Sequence, residues 1–223
     1  MHAVSREQAN LLKRWAFACV MTGVTALGAR LAVSLPMTPV PLTFQVFAVL
    51  LSGLVLGSRF GALAQMQYLM LGAFNLPVFA QGHSGTGSLF GITGGYLLSY
   101  PIAAFVTGWF IERKFQSDYP GIFGSILPRT INGSTNKPFS ESYTGEKSFA
   151  QKALAAGFGL AVIYGIGCVW FAFATRQPLF PAVFQGVLVF IAWDLVKVVL
   201  AIGALDGVNF ARRNVSKLTG KPW

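Results

Sequence analysis

Six stretches, each close to the length of a bilayer crossing, leave this chain few ways to fold. They fall at 15–35, 41–57, 60–80, 89–111, 149–174 and 181–204, and a spanning helix needs about 17–25 apolar residues. Backbone polar groups in hydrocarbon must be satisfied by the chain itself, which makes helices the natural element. Hydrophobic residues make up 54% and charged residues only 11%, against about 25% charged in ordinary soluble domains. The sequence therefore predicts an all-α integral membrane protein, a six-transmembrane-helix bundle. It occupies 1–223 as a single domain, with one long polar loop at about 113–148 and no room for a separate soluble unit.

The net charge of +10 raises the question of a nucleic-acid partner, and the positions of the basic residues answer it. Arg6, Lys13 and Arg14 precede the first stretch, Arg59 lies between the second and third, and Arg212, Arg213, Lys217 and Lys221 follow the sixth. Arg113, Lys114, Arg129, Lys137, Lys147 and Lys152 lie between the fourth and fifth. All of these fall on one side, while the opposite loops hold only Arg176. The positive-inside rule then puts both termini in the cytoplasm. The basic excess is a topology signal, without the aromatic interleaving of a nucleic-acid surface. The first stretch lacks a cleavage site and reads as a retained span.

The two outer loops carry the unusual chemistry. Residues 35–41 hold Pro36, Pro39 and Pro41, which impose a stiff, extended path. Residues 75–87 are rich in glycine and small polar side chains, so backbone there can approach a ligand closely. Together they are suited to cap an external cavity. Small residues recur every four positions in the fifth stretch, as Ala153, Gly157, Ala161 and Gly165, and in the first as Ala18, Thr22 and Ala26. Such stripes let helices approach. The fifth-stretch row reads as packing within the bundle. In the first stretch a second row, Cys19 and Gly23, broadens the smooth face enough to suit a partner subunit. Cys19 and Cys168 otherwise read as small packing residues rather than disulfide partners.

Catalytic signatures are largely missing: no HExxH, GxSxG, CxxC or Walker-type loop occurs, and no ligand set for a metal is evident. His83, in an outer loop, reads as a solvated side chain. Against that background two charges stand out, Asp194 and Lys197, within the apolar sixth stretch. Intramembrane charges are costly and by default mark function. Three residues apart, they share one helix face, one as acceptor and one as donor. A packing-only ion pair is the plain alternative. The pair's place in the last helix of a small bundle, the glycine-rich loops available to cover a pocket and the lack of competing core charges favour ligand binding, with Lys197 for a carboxylate and Asp194 for donor groups. Phe44, Phe47, Phe79, Phe90 and Tyr96 flank the outer loops and are candidates for apolar walls, Phe79 and Tyr96 foremost. Arg30, near the outer end of the first helix, is expected to snorkel to the interface.

The run Pro39-Val-Pro-Leu-Thr-Phe-Gln45, continued by Leu-Leu-x-Gly-x-x-Leu-Gly ending at Gly57, resembles the BioY family of biotin-specific membrane subunits. So do Tyr68-Leu-Met-Leu-Gly72, Leu76-Pro-Val-Phe79, Gly91-Ile-Thr-Gly-Gly-Tyr-Leu97 and the late Asp194-x-x-Lys197. The resemblance covers all six stretches and is densest between about 34 and 108. It implies a substrate-capture (S) component of an energy-coupling factor transporter, multi-pass in a bacterial-type inner membrane. Its partners would be a transmembrane coupling subunit and a pair of cytoplasmic ATPases, with ATP hydrolysed there and no cofactor of its own. Carried onto this chain, Asp194 takes the ureido end of biotin and Lys197 the carboxylate, while 36–43, including Thr43, and 79–87 cover the ligand. Gln81 is expected nearest the ureido ring. Family docking alanines fall on the row Ala18/Thr22/Ala26 or on Cys19/Gly23. The long 113–148 segment departs from the family's compact pattern. Other readings are an S component for a different vitamin, a membrane-embedded enzyme lacking an evident third reacting group, and a purely structural membrane protein.

Overall fold

The structure is a computed structural model that describes residues 6–116 and 148–219. Helix α1 (Arg6–Arg30) leads into an antiparallel hairpin of β1 (Ala32–Leu35) and β2 (Thr38–Thr43). Helix α2 (Gln45–Ala73) follows, then a 3-10 turn at Ala80–Gly82, the one-turn α3 (Thr86–Leu89) and α4 (Gly94–Gln116). The next described elements are α5 (Phe149–Thr175), the short α6 (Leu179–Val183), a π-helical turn Phe184–Leu188 and α7 (Val189–Thr219). Among the described residues, four helices are long and apolar enough to cross a membrane: α2, α4, α5 and the continuous rod Leu179–Ala211.

Helix α2 is not straight. Gly57 has φ 78° and ψ −173°, a region open essentially to glycine alone, and the chain doubles back there. Gln45 on the first half then meets Tyr68 on the second, and Gln65 Nε2 donates to Ser52 Oγ at 3.1 Å. The second and third apolar stretches are therefore two arms of one hairpin. At about 1.5 Å per residue the arms run about 18 and 24 Å, and β2 feeds directly into the first. Glu112 on α4 secures the turn. Its carboxylate accepts from the Ser58 backbone N–H at 2.9 Å and the Ser58 hydroxyl at 2.7 Å, a negative charge where a helix N-terminus favours one.

The core lies where α2, α4 and α5 pack in sequence, with α1 against the outer side of α2. Polar contacts join the layers: Gln65 Nε2 also donates to Thr25 Oγ1 of α1 at 3.1 Å, and Thr22 Oγ1 donates to the Ala64 carbonyl at 2.8 Å. At the far end of the bundle Lys152 of α5 pairs with Asp206 of α7.

Several expectations need correction. The proline-rich loop forms a β-hairpin, since extended proline-flanked backbone pairs well with its neighbour. The third stretch ends as helix at Ala73, because Asn75 (φ 64°) and Pro77 break it. The fourth begins at Gly94 rather than 89 and continues to Gln116, so the first residues of the expected loop are helical, while 117–147 lie outside the described residues. Ala18 and Thr22 are buried, and Ala26 packs against the core. That row therefore faces α2, and it is Cys19 and Gly23 that point outward. In α5 only Ala153 of the expected row packs against the core, while Gly157, Ala161 and Gly165 are exposed, with open space beside both glycines. Arg30 is exposed at the end of α1, as expected, and its guanidinium also donates to the Pro77 carbonyl.

A Gly57→Ala protein is expected to melt below the wild type in the same detergent, the strained backbone costing about 1–3 kcal/mol. An unchanged melting temperature would mean the hairpin does not need a glycine there.

Candidate functional site

The β-hairpin, the 79–93 segment and the helix ends beneath them enclose a cavity of about 320 Å³, at the small end of the range for ligand sites. Asp194, Lys197, Thr43, Phe79, Gln81 and Tyr96 all line it, so the structure gathers these six around one space, while Phe44, Phe47 and Phe90, the other candidate walls, are not part of the lining. Ala18, Thr22 and Ala26, the row expected to dock a partner, are elsewhere, on α1.

The charged pair sits on α7 facing inward, and both residues are only 3% exposed. Lys197 Nζ donates to Asp194 Oδ1 at 2.6 Å. Tyr164 of α5 donates its hydroxyl to Asp194 Oδ2, also at 2.6 Å. The Lys197 ammonium further lies 5.9 Å from the centre of the Phe44 ring, a cation–π distance. In this arrangement the two charges satisfy one another, as a packing pair would. They nevertheless do so at the wall of a cavity rather than in a sealed core.

The walls are built by close packing. Phe79, 2% exposed, stands edge-on to Tyr68 with centroids 5.5 Å apart. Its backbone N–H bonds the His83 carbonyl at 3.0 Å, closing the short loop. Tyr96 spends its hydroxyl on the Gly186 carbonyl at 2.8 Å, so it serves as an apolar wall. Gly186 lies in the π-helical turn, and a side chain there would collide with that hydroxyl. Such turns widen a helix locally and recur at functional sites. Gln81 adopts φ 58° and donates to Ser34 Oγ at 2.6 Å, tying the loop to β1. Thr43 donates to Gln45 Oε1 at 3.0 Å, and Gln45 Nε2 bonds Tyr68, whose hydroxyl donates to the Val78 carbonyl at 3.1 Å. One chain of hydrogen bonds thus joins the hairpin, both arms of α2 and the covering loop.

Sequence reasoning missed Tyr164 and Gln45. A lone tyrosine amid the apolar run of α5 was the available signal, because its hydroxyl needs a partner in a membrane interior. His83 borders the cavity though it is exposed, while Phe90 is 69% exposed and lies outside it. Among the described residues no group of three or more metal-ligating side chains gathers.

Removing one charge should hurt more than removing both. Lys197→Met leaves Asp194 buried without its cation, a loss of about 3–5 kcal/mol in unfolding free energy, whereas Asp194→Leu combined with Lys197→Met should lose less. Denaturant unfolding in detergent reads the difference, and a double variant no more stable than the single would count against a mutually satisfied pair.

The model of the BioY family matches residues 3–214. The biotin transporter BioY of Thermotoga maritima is 34% identical over 182 residues, covering 82% of this chain and 87% of that one. The probable biotin transporter BioY of Pyrococcus horikoshii is 35% identical over 191 residues, covering 85% and 92%. In fold, the chain is similar to the crystal structure of the S-component for biotin from an ECF-type ABC transporter, with a TM-score of 0.71 and 22% identity over 92% of this chain and 94% of that one. With nearly its whole length matched and its cavity lined by the Asp194-x-x-Lys197 pair, the chain belongs to the BioY family.

Proposed function

We propose that this chain captures biotin from outside the cell and delivers it inward as the S component of an energy-coupling factor transporter. The observation that carries the reading is a donor–acceptor charge pair at the wall of a cavity roofed by two loops. Biotin offers a carboxylate at one end and ureido N–H groups at the other. On entry, Lys197 turns from Asp194 to the carboxylate, and the freed Asp194 oxygen accepts from the ureido ring. Phe79 and Tyr96 supply apolar contact along the middle. Thr43 and Gln81 lie at the roof, where Gln81 must release Ser34 to reach the ligand.

The membrane arrangement follows from the same reading. The two arms of α2, with α1, α4, α5 and the Leu179–Ala211 rod, make six crossings, and the basic bias puts both termini in the cytoplasm of a bacterial-type cell. The cavity then opens outward. A transmembrane coupling subunit and a pair of cytoplasmic ATPases supply the energy, with ATP hydrolysed on those partners and no cofactor held by this chain. The outward small residues Cys19 and Gly23 of α1, rather than the inward Ala18 and Thr22, offer the smooth surface for the coupling subunit. The enzyme reading gains nothing from relatives named as transporters.

Displacement of labelled biotin from the purified protein tests the substrate. Unlabelled biotin should compete, and other small vitamins should not, while a better competitor than biotin would reassign the ligand. Asp194→Ala or Lys197→Ala should each weaken biotin binding by about 2–5 kcal/mol, as expected when one partner of a buried charged contact is removed. Unchanged affinity in both folded variants would remove the site assignment.

A further inference from the structure

Asp194 receives two hydrogen bonds of different origin. Lys197 supplies one from the next turn of the same helix, and Tyr164 supplies the other from α5, each at 2.6 Å. Capture of biotin, as proposed, has Lys197 leave for the ligand's carboxylate, and the role assigned here to Tyr164 rests on that reading. A buried carboxylate stripped of its cation faces a heavy desolvation penalty unless other donors hold it. Asp194 is 3% exposed, so water is a poor substitute for the departed ammonium.

Tyr164 is placed to meet that need. Its hydroxyl has one proton to donate, and that proton is directed at Oδ2, the oxygen that Lys197 does not use. Its ring is rigid and carried by a different helix, so it has no means of following Lys197 toward a ligand. A ligand N–H needs only Oδ1, the position Lys197 vacates, so Tyr164 need not be displaced at any stage. We propose that Tyr164 is a positioning residue that keeps the Asp194 carboxylate hydrogen-bonded and aimed into the cavity once a ligand anion has drawn Lys197 away.

This role has a consequence that simple packing lacks: the hydroxyl matters more for an anionic ligand than for a neutral one. A ligand without a carboxylate leaves Lys197 on Asp194, and the carboxylate then does not depend on Tyr164 alone. Calorimetric titration of detergent-purified wild-type and Tyr164→Phe proteins with biotin and with biotin methyl ester reads the difference. The Phe variant keeps the ring and removes only the donor. Its Kd for biotin should rise at least about tenfold, as for a lost hydrogen bond to a charged group, and its Kd for the ester less than about threefold.

Equal losses for acid and ester, or unchanged biotin affinity, overturn the proposal. Asp194→Asn titrated alongside separates two kinds of failure. If it weakens biotin binding while Tyr164→Phe does not, only the role of Tyr164 falls. If neither variant alters biotin affinity, the ligand site itself falls and the inference with it. Should Tyr164→Phe fail to fold, 3-fluorotyrosine at position 164 keeps the ring and the hydroxyl donor in place and must preserve the wild-type preference for acid over ester. Loss of that preference with ester binding intact would also overturn the proposal.

Discussion

Two opposite charges held 2.6 Å apart, with both residues almost wholly buried, set the terms for this molecule. Neither Asp194 nor Lys197 can be solvated by bulk water, so each depends on the other and on whatever else the bundle aims at them. At an effective dielectric near 20, two unit charges 4 Å apart attract by about 4 kcal/mol, and desolvation takes back much of that gain. A pair so balanced can exchange partners when an incoming molecule offers matching groups. An apolar core in the same place would have nothing to exchange. Tyr164 from α5 and the Phe44 ring beside Lys197 complete the setting from neighbouring elements.

The same demand for satisfied polar groups shapes the rest of the bundle. Thr22 and Thr25 join α1 to α2 through the Ala64 carbonyl and Gln65, and Glu112 of α4 holds Ser58 just past the Gly57 turn. Toward the cavity, the chain from Thr43 through Gln45 and Tyr68 to the Val78 carbonyl links the roof to the helices. A shift of the covering loop therefore reaches residues that line the site. The π-helical turn at Phe184–Leu188 also borders the cavity, presenting the Gly186 carbonyl to Tyr96.

Much of this was legible in the chain. Apolar length located α2, α4, α5 and the Leu179–Ala211 rod, the four described helices long and apolar enough to cross a membrane, while α1 is not among them. The cost of intramembrane charge singled out Asp194 and Lys197 before any geometry was known. Loop composition marked the two segments that roof the cavity. What was not legible depended on which way a helix turns. Small residues at every fourth position mark a smooth stripe but not its direction, so the Ala18/Thr22 row proved to face α2 and the Gly157/Ala161/Gly165 row to face outward. Tyr164 was hidden for a related reason: its role appears only when α5 and α7 are set side by side. The hairpin of β1 and β2 was missed because prolines specify extended backbone without saying what it pairs with.

Whether the buried pair exchanges partners is read from the structure of the protein with biotin bound, through the separation of Lys197 Nζ from Asp194 Oδ1. Exchange predicts that the 2.6 Å contact opens beyond hydrogen-bond reach, with the carboxylate of biotin on Lys197, a ureido N–H on Asp194 and the Tyr164 bond retained. Biotin bound with the pair still closed, or bound away from both charges, would contradict it.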